Sequence, residues 1–208
     1  MIESIENAVQ LVLLIACTVL AVMYNIRRNP PNGGLLVLFF GSYLLGDLYW
    51  LLYLLFYGHT PKIFYVSDLS WYAAYVFLHL LLMRLSTEEE RKTRCPAVWL
   101  LPAFTTGMCI FYMQYGSYIS NVIAAVLMSL LLVHSARGLV HIRKHPEAAS
   151  RKMLYITVLV FCFIEYCAWT ASCIWEGDTL ANPYLWLDCG LTVCMVFILP
   201  AFRKAVEA

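Results

Sequence analysis

Residues 35–56 read LLVLFFGSYLLGDLYWLLYLLF, twenty-two residues in which Asp47 is the one charged side chain. A bilayer's hydrocarbon core is about 30 Å thick and takes some 20 apolar residues of helix. The stretch therefore reads as a membrane-spanning helix, with NPPNGG before it and YGHTP after it as breaks. A charged side chain at mid-bilayer costs roughly 2.5–3.5 kcal/mol on insertion scales and usually faces the interior of a helix bundle. Asp47 thus bears on the fold and on a candidate polar site at once.

The whole chain repeats this chemistry. Of its 208 residues 62% are hydrophobic and 13% charged, and mean hydropathy is +0.73. A soluble domain carries about 25% charged residues, so this chain lacks half of the expected solvating surface. A net charge of +1 with no basic face excludes a nucleic-acid partner. The eight cysteines (17, 95, 109, 162, 167, 173, 189 and 194) lie mostly in apolar runs, without the clustered spacing of a disulfide framework or zinc site. They read as small hydrophobes, and no metal or cofactor is expected.

The same reading predicts an all-α, polytopic membrane domain over residues 1–208, with seven transmembrane helices near 7–25, 35–57, 68–86, 97–115, 118–140, 153–175 and 182–202. The acidic start MIESIEN argues that the first span is retained rather than cleaved as a signal peptide. Orientation follows from the basic residues. With the N-terminus outside, thirteen of the fourteen lysines and arginines fall on the inner side, Arg27, Arg91, Arg137 and Arg203 among them, and only Lys62 falls outside. The expected layout is N-terminus outside and C-terminus cytoplasmic, in a multi-pass protein of the cell membrane. A rhodopsin-like reading fails, because all five lysines (62, 92, 144, 152 and 204) lie in loops or at span ends and none could form a Schiff base within a helix.

Acids recur inside the spans: Asp47 in the second, Glu165 in the sixth and Asp188 in the seventh. Asp68 begins the third, where its plainest reading is a helix N-cap, and His79 lies near that span's middle. Asp68, Trp71, Tyr72, Tyr75 and His79 follow at i, i+3, i+4, i+7 and i+11, one helical stripe. Tyr43, Asp47 and Trp50 share a face of the second span, Glu165, Trp169 and Ser172 one of the sixth, and Tyr184, Asp188 and Thr192 one of the seventh. Turned inward, these faces would enclose an acidic, aromatic-lined pocket opening outward. The candidate ligand-binding residues are Asp47, Trp50, Asp68, Trp71, Tyr72, Tyr75, His79, Glu165, Trp169 and Asp188. The plainer reading is that such polar groups only join helices by hydrogen bonds worth around 0.6 kcal/mol each.

From Gly46 to about Leu82, GDLYW followed by a Gly/Pro loop and SDLSWYAAY resembles the seven-helix sensory modules of bacterial diguanylate cyclases, phosphodiesterases and histidine kinases. That resemblance implies a sensor that passes its signal to the cytoplasm. The sequence ends at PAFRKAVEA without an output domain, so it implies a truncated sensor or a separate signalling partner. A second resemblance is to the YhhN-type lysoplasmalogenases, hydrolases of vinyl-ether lysolipids, through Gly46-Asp47, His79 and the VFCFIE ending at Glu165. It implies catalysis by Asp47 and Glu165 with His79 orienting one of them, although Ile164-Glu165 stands where that family has Ser-Asp.

Three functions are thus expected of one constellation: a sensor for a small cation, held by charge pairing and cation–π contact; an intramembrane lipid hydrolase; or a cation- or proton-coupled transporter. The expected partners are the lipid bilayer, a small-molecule ligand, a cytoplasmic signalling protein and a second copy of the chain as a homodimer.

Overall fold

The computed structural model describes residues 2–59, 66–175, 177 and 179–207, so Lys62 lies outside the described residues. Eight α-helices follow in chain order: α1 (Ile2–Arg28), α2 (Gly33–Tyr57), α3 (Val66–Leu85), α4 (Glu88–Lys92), α5 (Leu100–Tyr112), α6 (Tyr118–Lys144), α7 (Lys152–Ile174) and α8 (Pro183–Val206). Short 3-10 helices at Pro96–Trp99 and Pro146–Arg151 lead into α5 and α7. Among the described residues there is no strand.

Six of these helices, α1, α2, α3, α6, α7 with the 3-10 turn before it, and α8, are long and apolar enough to cross a membrane. The chain is built as a multi-pass helical membrane protein. The expected fourth span differs. It is the 3-10 turn Pro96–Trp99 running into the thirteen-residue α5, a shorter apolar helix. Past its last turn the Tyr112 carbonyl accepts two bonds, the Gly116 N–H at 3.1 Å and the Asn121 Nδ2 of the next helix at 2.8 Å.

The six long helices close a ring in the order α1, α2, α3, α6, α7, α8 and back to α1. Helix α5 packs on α6 and reaches α7, where Tyr112 Oη donates to the Tyr166 carbonyl at 3.0 Å. Helices α1, α3, α6 and α8 end together at a basic end. There Tyr24 Oη meets Glu207 at 2.9 Å, and the His79 and His134 rings lie 5.7 Å apart. Apolar side chains such as Val12, Ile26, Leu45, Phe56, Ile110 and Phe197 cover the outside, while Asp47, Glu165 and Asp188 are buried. This inversion of the soluble pattern suits a lipid surround.

The breaks are made as their residues require. Gly58 takes a left-handed φ of 68° after α2 and donates its N–H to Leu54 O, a glycine C-cap. Thr87 and Glu90 form a reciprocal capping box on α4, and Asn182 caps α8 ahead of Pro183. Asp68, read above as a cap, instead lies inside the first turn of α3, which begins at Val66. All eight cysteines are free thiols.

Candidate functional site

A cavity of about 550 Å³ lies at the end of the bundle opposite the basic end. Helix α2 contributes Tyr43, Asp47 and Trp50, and α3 contributes Ser67, Asp68, Trp71, Tyr72 and Tyr75. Glu165, Trp169 and Ser172 come from α7, and Tyr184 and Asp188 from α8. Nine of the ten candidate residues are brought together here. His79 is the exception.

The Gly46-Asp47 pair has a direct geometric basis. A side-chain carbon at Gly46 would sit 2.6 Å from Trp71 Nε1, so only glycine lets the indole lie against α2. The indole then donates to Asp47 Oδ1 at 2.8 Å. Trp50 packs on the same indole with ring centroids 5.6 Å apart. The other oxygen, Asp47 Oδ2, is buried and has no hydrogen-bond partner. A buried acceptor without a partner costs about 1–3 kcal/mol.

Glu165, 4% exposed, is held differently. Its Oε1 accepts from Tyr75 Oη at 2.5 Å and from Tyr43 Oη at 3.2 Å, joining α2, α3 and α7 at one oxygen. The two phenol rings and Phe161 stack edge to face beneath it. Asp188 Oδ1 accepts from Gln10 Nε2 at 3.4 Å, and the Glu6 carboxyl lies beside it.

Among the described residues lining the cavity there is no lysine, arginine or histidine. The walls are aromatic: besides the residues above, Tyr112 and Tyr166 stack parallel at 6.4 Å and Trp169 meets both edge-on. Tyr72 Oη lies 2.7 Å from Ser120 Oγ and ties α3 to α6 on that side.

His79 lies elsewhere, in a second cavity of about 180 Å³ with His134, Arg91 and Arg137. Its i+11 spacing from Asp68 keeps it on the same face but about 16 Å further along the axis. Fully buried Leu78 in α3 and Met128 in α6 fall between the residues that line the two spaces. Thr192 does not line the cavity either, and its hydroxyl bonds the Asp188 carbonyl one turn back in its own helix.

The sequence reading missed the contribution of α1. Glu6, Asn7 and Gln10 reach Asp188 or the cavity wall. Asn7 and Gln10 are polar residues at i, i+3 at the start of the first span, a signal passed over because MIESIEN was read only for retention of that span. Comparison with known protein families, curated proteins and solved structures gives no match to this chain.

Proposed function

We propose that the chain is a receptor-like membrane sensor that binds a small organic cation in the acidic, aromatic cavity and signals to the cytoplasm. One observation carries this reading: Asp47, Glu165 and Asp188 are each buried around one 550 Å³ space, beside indoles and phenols, with no described basic side chain in its lining. A buried carboxylate is costly without a positive partner, and a cationic ligand supplies that partner along with cation–π contact to Trp50, Trp71 or Trp169. The volume is that of a small-molecule site.

In this reading the N-terminus is outside, the basic end is cytoplasmic by the positive-inside rule, and the cavity faces outward. The turn Pro96–Trp99 and α5 together extend about 28 Å, from about 2.0 Å and 1.5 Å of rise per residue, so they serve as a seventh crossing of the cell membrane. Ligand binding at Asp188 moves α8, whose Pro200 removes one backbone hydrogen bond near the basic end. A cytoplasmic partner or output domain reads that movement.

The deciding experiment is mass spectrometry of the purified chain, wild type and Asp47→Asn, incubated with a panel of primary amines and quaternary ammonium ions. Retention by wild type and loss by the variant supports the sensor. If neither protein retains any cation, the reading fails. A lysolipid consumed over time by wild type alone would establish a hydrolase instead, working through Asp47 and Glu165 without His79.

A further inference from the structure

The smaller cavity opens at the basic end between α3 and α6 and shares no lining residue with the larger one. His134 lies three residues deeper in α6 than Arg137, and Arg91 comes from α4 just beyond the end of α3. Among the described residues neither arginine forms an ion pair with a carboxylate. Arg91 Nε donates to Thr87 O at 3.4 Å, Arg137 Nη1 reaches Arg91 O at 3.5 Å, and the Arg137 guanidinium stands 6.0 Å from the Trp99 ring centroid.

The single acid among the described lining residues is already engaged. Glu90 Oε1 accepts from Arg151 Nε at 3.2 Å and from Tyr155 Oη at 3.4 Å, and its Oε2 accepts the Thr87 N–H at 2.8 Å. Deeper in, His134 Nε2 pairs with Ser86 Oγ at 3.0 Å, whereas His79 Nδ1 is buried with no partner. Two guanidiniums without a carboxylate partner and one vacant imidazole nitrogen therefore line one cavity whose single described acid is already engaged.

The remaining wall is apolar, formed by Met83, Leu130 and Val133. Leu130 is also 42% exposed, and Leu80, next to His79 in α3, is 38% exposed, so apolar side chains of α3 and α6 continue onto the outer surface of the helices. A free anion has no use for that extension. An acyl chain does.

We propose that this cavity binds the phosphate of an anionic lipid, with Arg91 and Arg137 on the phosphate oxygens, the His79 Nδ1–H donating from within, and the acyl chain leaving along Leu130 and Leu80. Guanidinium groups pair with phosphate bidentately, and basic pockets between membrane helices suit such headgroups.

The test uses the purified full chain in detergent, titrated with phosphatidylglycerol, phosphatidylcholine or inorganic phosphate and read by native mass spectrometry. Wild type is expected to retain phosphatidylglycerol and not phosphatidylcholine. Arg137→Gln and Arg91→Gln should each weaken that binding about tenfold, the loss of one charge-assisted contact. Leu130→Trp, which fills the cavity without changing charge, should do the same, while Arg143→Gln at the same end should bind as wild type. Arg91 and Leu130 are partly exposed, so their variants carry the test if Arg137→Gln does not fold. Equal binding by all variants, or equal retention of phosphatidylcholine, overturns the proposal. Retention of inorganic phosphate without the lipid overturns the lipid assignment and leaves a soluble anion as the occupant.

Discussion

Trp71 Nε1 and Asp47 Oδ1 lie 2.8 Å apart, the side chains of two adjacent helices joined at the wall of the large cavity. The bond fixes one carboxyl oxygen and leaves the other, Oδ2, facing no partner. It also sets the indole plane that Trp50 packs against. Trp71→Phe keeps an aromatic ring, smaller than the indole, and removes the donor. It should lower stability by about 1–3 kcal/mol, the cost of an unpaired buried acceptor, and weaken cation retention, as read by thermal unfolding and by mass spectrometry. An unchanged melting temperature would show that the bond contributes nothing.

Gly46→Ala tests the same contact from the other side. The added carbon meets the indole at 2.6 Å, so Trp71 must move, at a cost of about 1–3 kcal/mol for overpacking. Because both changes break one contact, Gly46→Ala combined with Trp71→Phe should cost clearly less than the sum of the two alone. Strict additivity in urea or thermal unfolding would mean that the glycine serves some other purpose.

Glu165 is held by two phenols at unequal distances, 2.5 Å from Tyr75 and 3.2 Å from Tyr43. Tyr75→Phe should therefore destabilise more than Tyr43→Phe, within the roughly 1.5–3 kcal/mol given by hydrogen bonds to a charged group. The reverse order in thermal melts would show that Tyr43 is the principal donor.

Asp188 and Thr192 separate a cavity wall from helix packing. Asp188→Asn removes an acid that lines the cavity and should reduce cation affinity about tenfold, in the range of charge-assisted contacts. Thr192→Val removes a hydroxyl bonded only within α8, and affinity should stay within twofold. Isothermal titration with a quaternary ammonium ion measures both, and equal losses would place Thr192 in the ligand's path.

At the basic end Tyr155 lies against Gly138, where any Cβ would collide with its ring. Gly138→Ala should cost about 1–3 kcal/mol through overpacking and disturb the Glu90–Arg151–Tyr155 cluster, yet leave cation binding in the larger cavity unchanged. Loss of that binding with the fold intact would show that the two cavities are coupled.

The sequence by itself determined the all-helical character, the position of six long apolar helices and the grouping of Asp47, Trp71, Tyr75, Glu165 and Asp188. Hydropathy and helical periodicity are local properties, readable one helix at a time. Only the tertiary structure decided that Gly46 makes room for the Trp71 indole, that Glu6 and Gln10 meet Asp188, and that His79 sits in a separate cavity near His134. Only it shortened the expected span at 97–115 to α5. Those outcomes depend on how far each helix is shifted and rotated against its neighbours. Close packing between helices sets that, and no single stretch of sequence encodes it.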